Sequence, residues 1–387
     1  MKKVLVSSAL SALLVLPAAA LEIYNDDGKS VELYGSIRGY VGMGENAHKG
    51  EAGGPANFLF GVQGNSHVGF NVSVDKFKAK VEFGAKEDLV TGTSANGYNE
   101  LPLRFFWGSY DTGAGTILIG KANTPTTDIF STGVLNTDTA FNGFGGLSTS
   151  TRRLQAQYNI AGLSLALISD YMAENVGVIS PLTADSSMPR IALSYTINGD
   201  KAPLFQIAGT YRHYTTETWN ANFSPLGGAD ATNNAWHISV GTKPTFGNSF
   251  VSLFGFYGKN QHFYGETGTS HNLGMFNHID ITPYTAEGTS IEVKRAGGHA
   301  ELGIGLSKDA NLTFGLGYQE TFGSIEGKFK SWAAFVQLPY KVSANFTLTP
   351  VVGWFQTAGV KGASTAEDTP FDKTTSVVGA ARVMWNF

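Results

Sequence analysis

Gly115 to Lys121 reads G-x-x-x-x-G-K, the spacing with which a glycine-rich loop cradles phosphates. Here Thr116-Ile117-Leu118-Ile119 is strand-like, and Ala122 stands where a metal-binding hydroxyl belongs. Nucleotide chemistry is therefore not expected. His262, His271 and His278 share one stretch, but their spacing fits no compact metal site. No metal and no other cofactor is expected. The chain has no cysteine, and no pairing of nucleophile and base stands out, so no enzyme is expected. What remains is charge at alternate positions. Arg38 follows Glu32, Tyr34 and Ser36 at every second residue, Lys78 and Lys80 alternate with Phe77, Ala79 and Val81, and Arg153 shares its parity with Gln155 and Gln157. Arg382 is the one charge in the closing stretch Ser376 to Phe387. Period 2 puts such charges on one face of a strand and the apolar residues on the other.

The elements that carry these faces are strands throughout. Met1 to Ala20 holds two lysines, an apolar run from Val4 to Leu16 and a small-residue end, the layout of a secretory signal. Residues 21–387 are then one domain. No later run is long and apolar enough for a membrane helix. The mature chain is rich in glycine and aromatics, with 48 Gly, 15 Tyr and 26 Phe in the whole sequence. Val68, Phe70, Val72 and Val74 alternate with polar or small residues, Asp75-Lys76 turns the chain, and Phe77 to Phe83 alternate again. The same plan repeats to give sixteen strands, an even count being firmer than sixteen itself. Seven short turns alternate with eight long connections, centred near 44–65, 88–102, 122–150, 173–187, 216–233, 261–291, 322–328 and 358–374. That alternation predicts an all-β, antiparallel transmembrane barrel with short turns on one side and long loops on the other. In lipid every backbone amide must be paired, so the last strand must close on the first. The third long connection contains Phe130, Phe141 and Phe144. Three phenylalanines predict that it folds against the inner wall, the alternative being a cap on top.

The leader, "VELYGSIRGY" from Val31, "NSHVGF" from Asn65, "GAKEDL" from Gly84, "GTILIGKA" from Gly115 and the terminal Phe387 resemble the general diffusion porins of Gram-negative outer membranes. The resemblance spans the mature chain in layout and is strongest before residue 160 and at the C-terminus. It implies an outer-membrane channel, a homotrimer embedded in lipid, that passes ions and small hydrophilic solutes passively. It further implies that loop 122–150 narrows the pore with acidic groups, here Asp128 and Asp138, facing basic groups on the wall. Arg38, Lys80, Lys121, Arg153 and Arg382 are the basic wall candidates. His67 stands where the family usually has arginine, so wall charge there would rise in acid. Lys121 shares parity with Ile117 and Ile119, which leaves its facing open.

Two other readings stay beside this one: a channel selective for a sugar or an anion, and a barrel enzyme. Loss of Lys2 and Lys3 with the leader takes the net charge from −4 to −6. A small acidic excess suggests no nucleic-acid partner and predicts a weak preference for cations.

Overall fold

The computed structural model describes residues 20–48, 57–85, 102–138, 141–147, 151–169, 183–185, 188–199, 202–217, 231–261, 271–272, 277–278, 293–323, 329–358 and 374–387. The leader, and most of the long connections other than the third, lie outside them. So do His262 and the side chains of His271 and His278.

Sixteen antiparallel staves close into one barrel. In chain order they are β1 (Lys29–His48), β2 (His67–Val74, extended by Asn57–Val62), β3 (Phe77–Gly84) and β4 (Leu103–Asp111). Next come β5 (Thr116–Asn123), β6 (Arg152–Ile160), β7 (Leu163–Ser169) and β8 (Arg190–Asn198, extended by Thr183–Asp185). They are followed by β9 (Pro203–Glu217), β10 (Ala231–Thr242), β11 (Ser249–Lys259) and β12 (Val293–Gly305). The last four are β13 (Asn311–Gly323), β14 (Phe329–Gln337), β15 (Phe346–Ala358) and β16 (Thr374–Asn386). Each pairs with its chain neighbours, and β16 pairs with β1 from Ser36↔Asn386 to His48↔Thr374. The amide and carbonyl of Phe387 both bond Gly35, so the ladder runs to the last residue.

The sidedness is that of a barrel in lipid. Ile37, Val41 and Met43 on β1, Leu193 and Tyr195 on β8, and Val377 and Val383 on β16 are exposed. The alternate residues Ser36, Ser194, Ser376 and Arg382 are buried inside. A soluble barrel reverses this pattern. A charge on the outer face at mid-depth costs about 2–4 kcal/mol, so the parity is strongly held.

The turns have a local cause. Ala161-Gly162 has φ of 48° and 85°, the double left-handed conformation of the tightest hairpins. Asp75 (φ 50°) takes that region without a glycine, which a short polar side chain tolerates. One element was not anticipated. Leu21–Asp26 turns at Asp27-Gly28, again with two positive φ values, and pairs with the start of β1. It occupies the β1 edge beyond the point where β16 ends, so that edge of β1 stays paired past Phe387. The signal was present as Asp-Gly between two alternating runs.

Candidate functional site

The third long connection follows β5 and enters the barrel. It crosses to the inner faces of β10–β15, and its single-turn helix α1 (Leu135–Asp138) returns to β1 and β16. Three kinds of contact hold it. Phe141 and Phe144 are buried with Phe335 and Phe355, while Phe130 and Leu147 are buried with Phe254 and Phe256. Burial of a phenylalanine contributes about 1.5–3 kcal/mol, so these four side chains fix the path. Glycines on the wall make room for them. A Cβ on Gly241 would stand 2.2 Å from Phe130, one on Gly317 2.4 Å from Phe141, and one on Gly353 2.3 Å from Leu135. Backbone groups of the loop are also bonded to the wall: Ser252 Oγ donates to the Phe130 carbonyl (3.0 Å), Gln337 Oε1 accepts from Val134 N (3.0 Å), and Glu301 accepts from Thr132 N (2.8 Å).

The two loop carboxylates have different fates. Asp138, at the end of α1, accepts from Arg38, from Arg382 Nη2 (3.0 Å) and from Asn65 Nδ2 (2.7 Å). The two guanidinium groups belong to β1 and β16. Asp128 meets neither. It is 2% exposed and lies 2.9 Å from His299 Nε2 on β12, while its other oxygen accepts from Phe130 N. The His299 ring is stacked between Phe141 (4.7 Å) and Phe254 (5.2 Å). The expectation of Asp128 as an acidic group facing the basic wall is therefore corrected. Asp128 follows directly on the stem in which Thr124 and Thr127 bond Thr151, and it is sealed into the seam between the loop and β12.

Across the bore, the near wall is basic. Glu82 on β3 is its hub. One oxygen accepts from Arg104 Nε (2.6 Å), and the other accepts from Tyr34 Oη (2.8 Å) and lies 3.6 Å from Lys80 Nζ and 3.8 Å from His67 Nε2. Lys80 also stands 4.7 Å from the centre of the Phe105 ring, which carries the Arg152 guanidinium at 4.8 Å. Lys80, His67, Arg153 and Arg382 lie on the inner face. Lys121 does not, and this too is a correction. It is paired with Phe106 and Leu154, both outward, and its amine donates to the Leu103 carbonyl at the loop-side rim. The parity with Ile117 and Ile119 decides its face, and its long stem lets the charge reach the rim.

Several inner cations escaped the sequence reading. Arg104 has outward parity in a regular strand. A bulge opposite Glu82 and Phe83 inserts it as an extra residue and turns it onto Glu82. Arg152 sits at the first position of β6, where strand parity is not yet binding. Arg190, Arg212 and Arg295 are inward and buried on β8, β9 and β12. Their alternation with Ala192 and Ser194, Thr210, and Gly297 and His299 was available in the sequence. No group of metal-binding side chains is found among the described residues.

A closed sixteen-stranded barrel, apolar outside and polar within, with its third loop laid into the bore, is the fold of an outer-membrane porin. Among solved structures the chain is similar to the outer membrane channel DcaP of Acinetobacter baumannii, at 14% identity and a TM-score of 0.66, over 94% of this chain and 99% of that one. It is similar also to an anion-selective porin from Comamonas acidovorans (15% identity, TM-score 0.54, 93% and 100% covered) and to Salmonella typhi OmpF (14%, 0.55, 95% and 100%). No protein-family model matches the sequence, and no curated protein matches it either.

Proposed function

We propose that the protein is an outer-membrane porin: a water-filled channel for passive diffusion of small hydrophilic solutes, narrowed by the third loop and favouring anions. The long loops face outward from the cell and the short turns face the periplasm. Sixteen strands leave an aqueous bore. The observation that carries the reading is the disposition of charge inside that bore. Asp128 and Asp138 are spent on His299 and on Arg38 with Arg382, and Glu301 is spent on the loop backbone. Lys80, Arg104 and Arg152 gather near the carboxylate of Glu82. The local field is therefore positive, and it raises the local concentration of anions. This reverses the cation preference drawn from net charge, because the acidic excess of the chain is not where solutes pass.

The proposed eyelet lies between α1 and the wall formed by β16 and β1–β6, with Arg382 on β16 and Arg38, Lys80, Arg153 and His67 on the other strands. The test is conductance of the detergent-purified protein in a planar bilayer. Stepwise insertions of open channels are expected. Absence of steps from protein shown to be folded and inserted would sink the reading in favour of a closed or enzymatic barrel. The resemblance adds a homotrimer, and each insertion is then expected to show three equal levels.

A further inference from the structure

Cations on the near wall are held in two ways. Arg38 and Arg382 are spent on the carboxylate of Asp138. Lys80 and Arg152 are held by rings. Strand register sets Phe105 of β4 opposite Glu82 and Trp107 opposite Lys80, so Phe105 faces the bore while Phe106, 59% exposed, faces out. The Lys80 ammonium lies 4.7 Å from the centre of the Phe105 ring and 4.8 Å from that of Tyr34. The Arg152 guanidinium lies 4.8 Å from the centre of the Phe105 ring. At these distances a cation is attracted by the negative face of an aromatic ring. One neutral side chain thus carries two cations. Hydrogen bonding adds little to their placement. Lys80 Nζ is 3.6 Å from Glu82, longer than a hydrogen bond, and Arg152 Nε is buried with no hydrogen-bond partner. Glu82 gives its oxygens instead to Arg104 Nε (2.6 Å) and Tyr34 Oη (2.8 Å).

We propose that Phe105, which has no charge of its own, is a positioning residue that sets the anion preference of the pore. The proposal rests on the porin reading and its anion preference. A carboxylate that holds a cation cancels its charge and takes up its N–H donors. A ring face holds a cation and does neither, because the attraction is to a quadrupole. Lysine and arginine side chains are long and rich in rotamers, so a charge on either spreads over a wide volume unless something fixes it. Phe105 fixes two of them on one patch of wall, against their mutual repulsion. The positive potential toward the bore is concentrated there, where a passing anion meets it. Without the ring, Coulomb attraction draws Lys80 onto Glu82, and Arg152 loses the contact that turns it inward. The formal charge of the wall is then unchanged, but less of it faces the solute.

The test is the reversal potential of the full mature chain in a planar bilayer under a potassium chloride gradient, for wild type, Phe105→Leu and Phe105→Tyr. Neither substitution changes a charge. Phe105→Leu should lower the chloride-to-potassium permeability ratio roughly twofold, while Phe105→Tyr, which keeps a ring face, should hold the wild-type ratio. Lys80→Met should lower the ratio in wild type and lower it less in the Phe105→Leu background, since the two residues act through one contact. An unchanged ratio in Phe105→Leu, an equal fall in Phe105→Tyr, or an equal effect of Lys80→Met in both backgrounds overturns the proposal. Should Phe105→Leu give no channels, Phe105→Met takes its place with the same fall expected. If neither inserts, an unchanged ratio in both Lys80→Met and Arg152→Met overturns the proposal, and a fall in each supports it. A wild type that gives no channels breaks the porin reading instead, and a wild-type potential of the potassium sign breaks its anion preference; the proposal falls with either.

Discussion

Asp138 holds two guanidinium groups and an amide at once, the guanidinium groups from the seam where β16 meets β1 and the amide from Asn65 in the break of β2. A carboxylate in charge-assisted bonds of this kind contributes about 1.5–3 kcal/mol for each contact that is well formed. Asp138→Asn keeps the shape of the side chain and removes its charge. The loop tip should then loosen from the seam, and two arginines should be left without their shared counter-charge. A rise of roughly twofold or more in the anion-to-cation permeability ratio is expected, read from reversal potentials. A fall would show that Asp138 does not neutralise the wall. Lys80 belongs to the opposite case. Lys80→Glu puts a second acid beside Glu82 and should carry the ratio toward cations, while Ser252→Ala, remote from that cluster, should not. Arg104 and Asp128 show why residue roles were only partly legible. The facing of Arg104 depends on a bulge, and a bulge has no signature in a run such as Leu-Arg-Phe-Phe-Trp. The partner of Asp128 lies 171 positions away, and only the path of the loop brings the two together.

At the scale of elements, the third loop is a packed object rather than a free strand of chain. Its phenylalanines enter seats that exist only because the wall offers glycine there. Gly317→Leu should therefore expel Phe141 from its seat, while the barrel ladder, which does not depend on that seat, still closes. Larger conductance steps and passage of larger sugars in liposome swelling are the expected outcome. Unchanged steps would mean that the loop does not define the narrowest point. Phe141→Ala should act in the same direction, since removing a buried phenylalanine costs about 3–5 kcal/mol. The strands themselves were almost fully legible. Alternation in Val68 to Val74 and in Leu154 to Ile160 fixes both the element and the face, because a one-residue slip would put every apolar side chain in water. The inward folding of the loop was also legible, from three phenylalanines in a stretch with few other large apolar residues. The seats were not, since a glycine in a strand does not announce which side chain it faces.

The whole molecule is an apolar sleeve around a charged bore, and the two surfaces make separate predictions. Outside, Phe58 and Phe60 on the extension of β2 are 67% and 70% exposed, beside Met43 and Val41 of β1. The protein should leave membranes only with detergent. If the trimer reading holds, this is a surface where copies could meet, and Phe60→Glu should convert trimers to monomers on native gels without abolishing conductance. A wild-type monomer would remove the trimer from the account. Inside, the balance of charge is set by where each acid is spent and not by the sum over the chain. Net charge is negative, yet the described wall presents Arg38, Lys80, Arg104, Arg152, Arg153 and Arg382 around a bore whose loop acids are already engaged.

That contrast makes the sign of ion selectivity the most direct measurement. A single orientation of the protein in a planar bilayer, under a tenfold potassium chloride gradient, gives a reversal potential. The account predicts the sign set by chloride, held across neutral pH. A reversal potential of the potassium sign would contradict the claim that the bore is basic, and would return the carboxylates of the loop to the water.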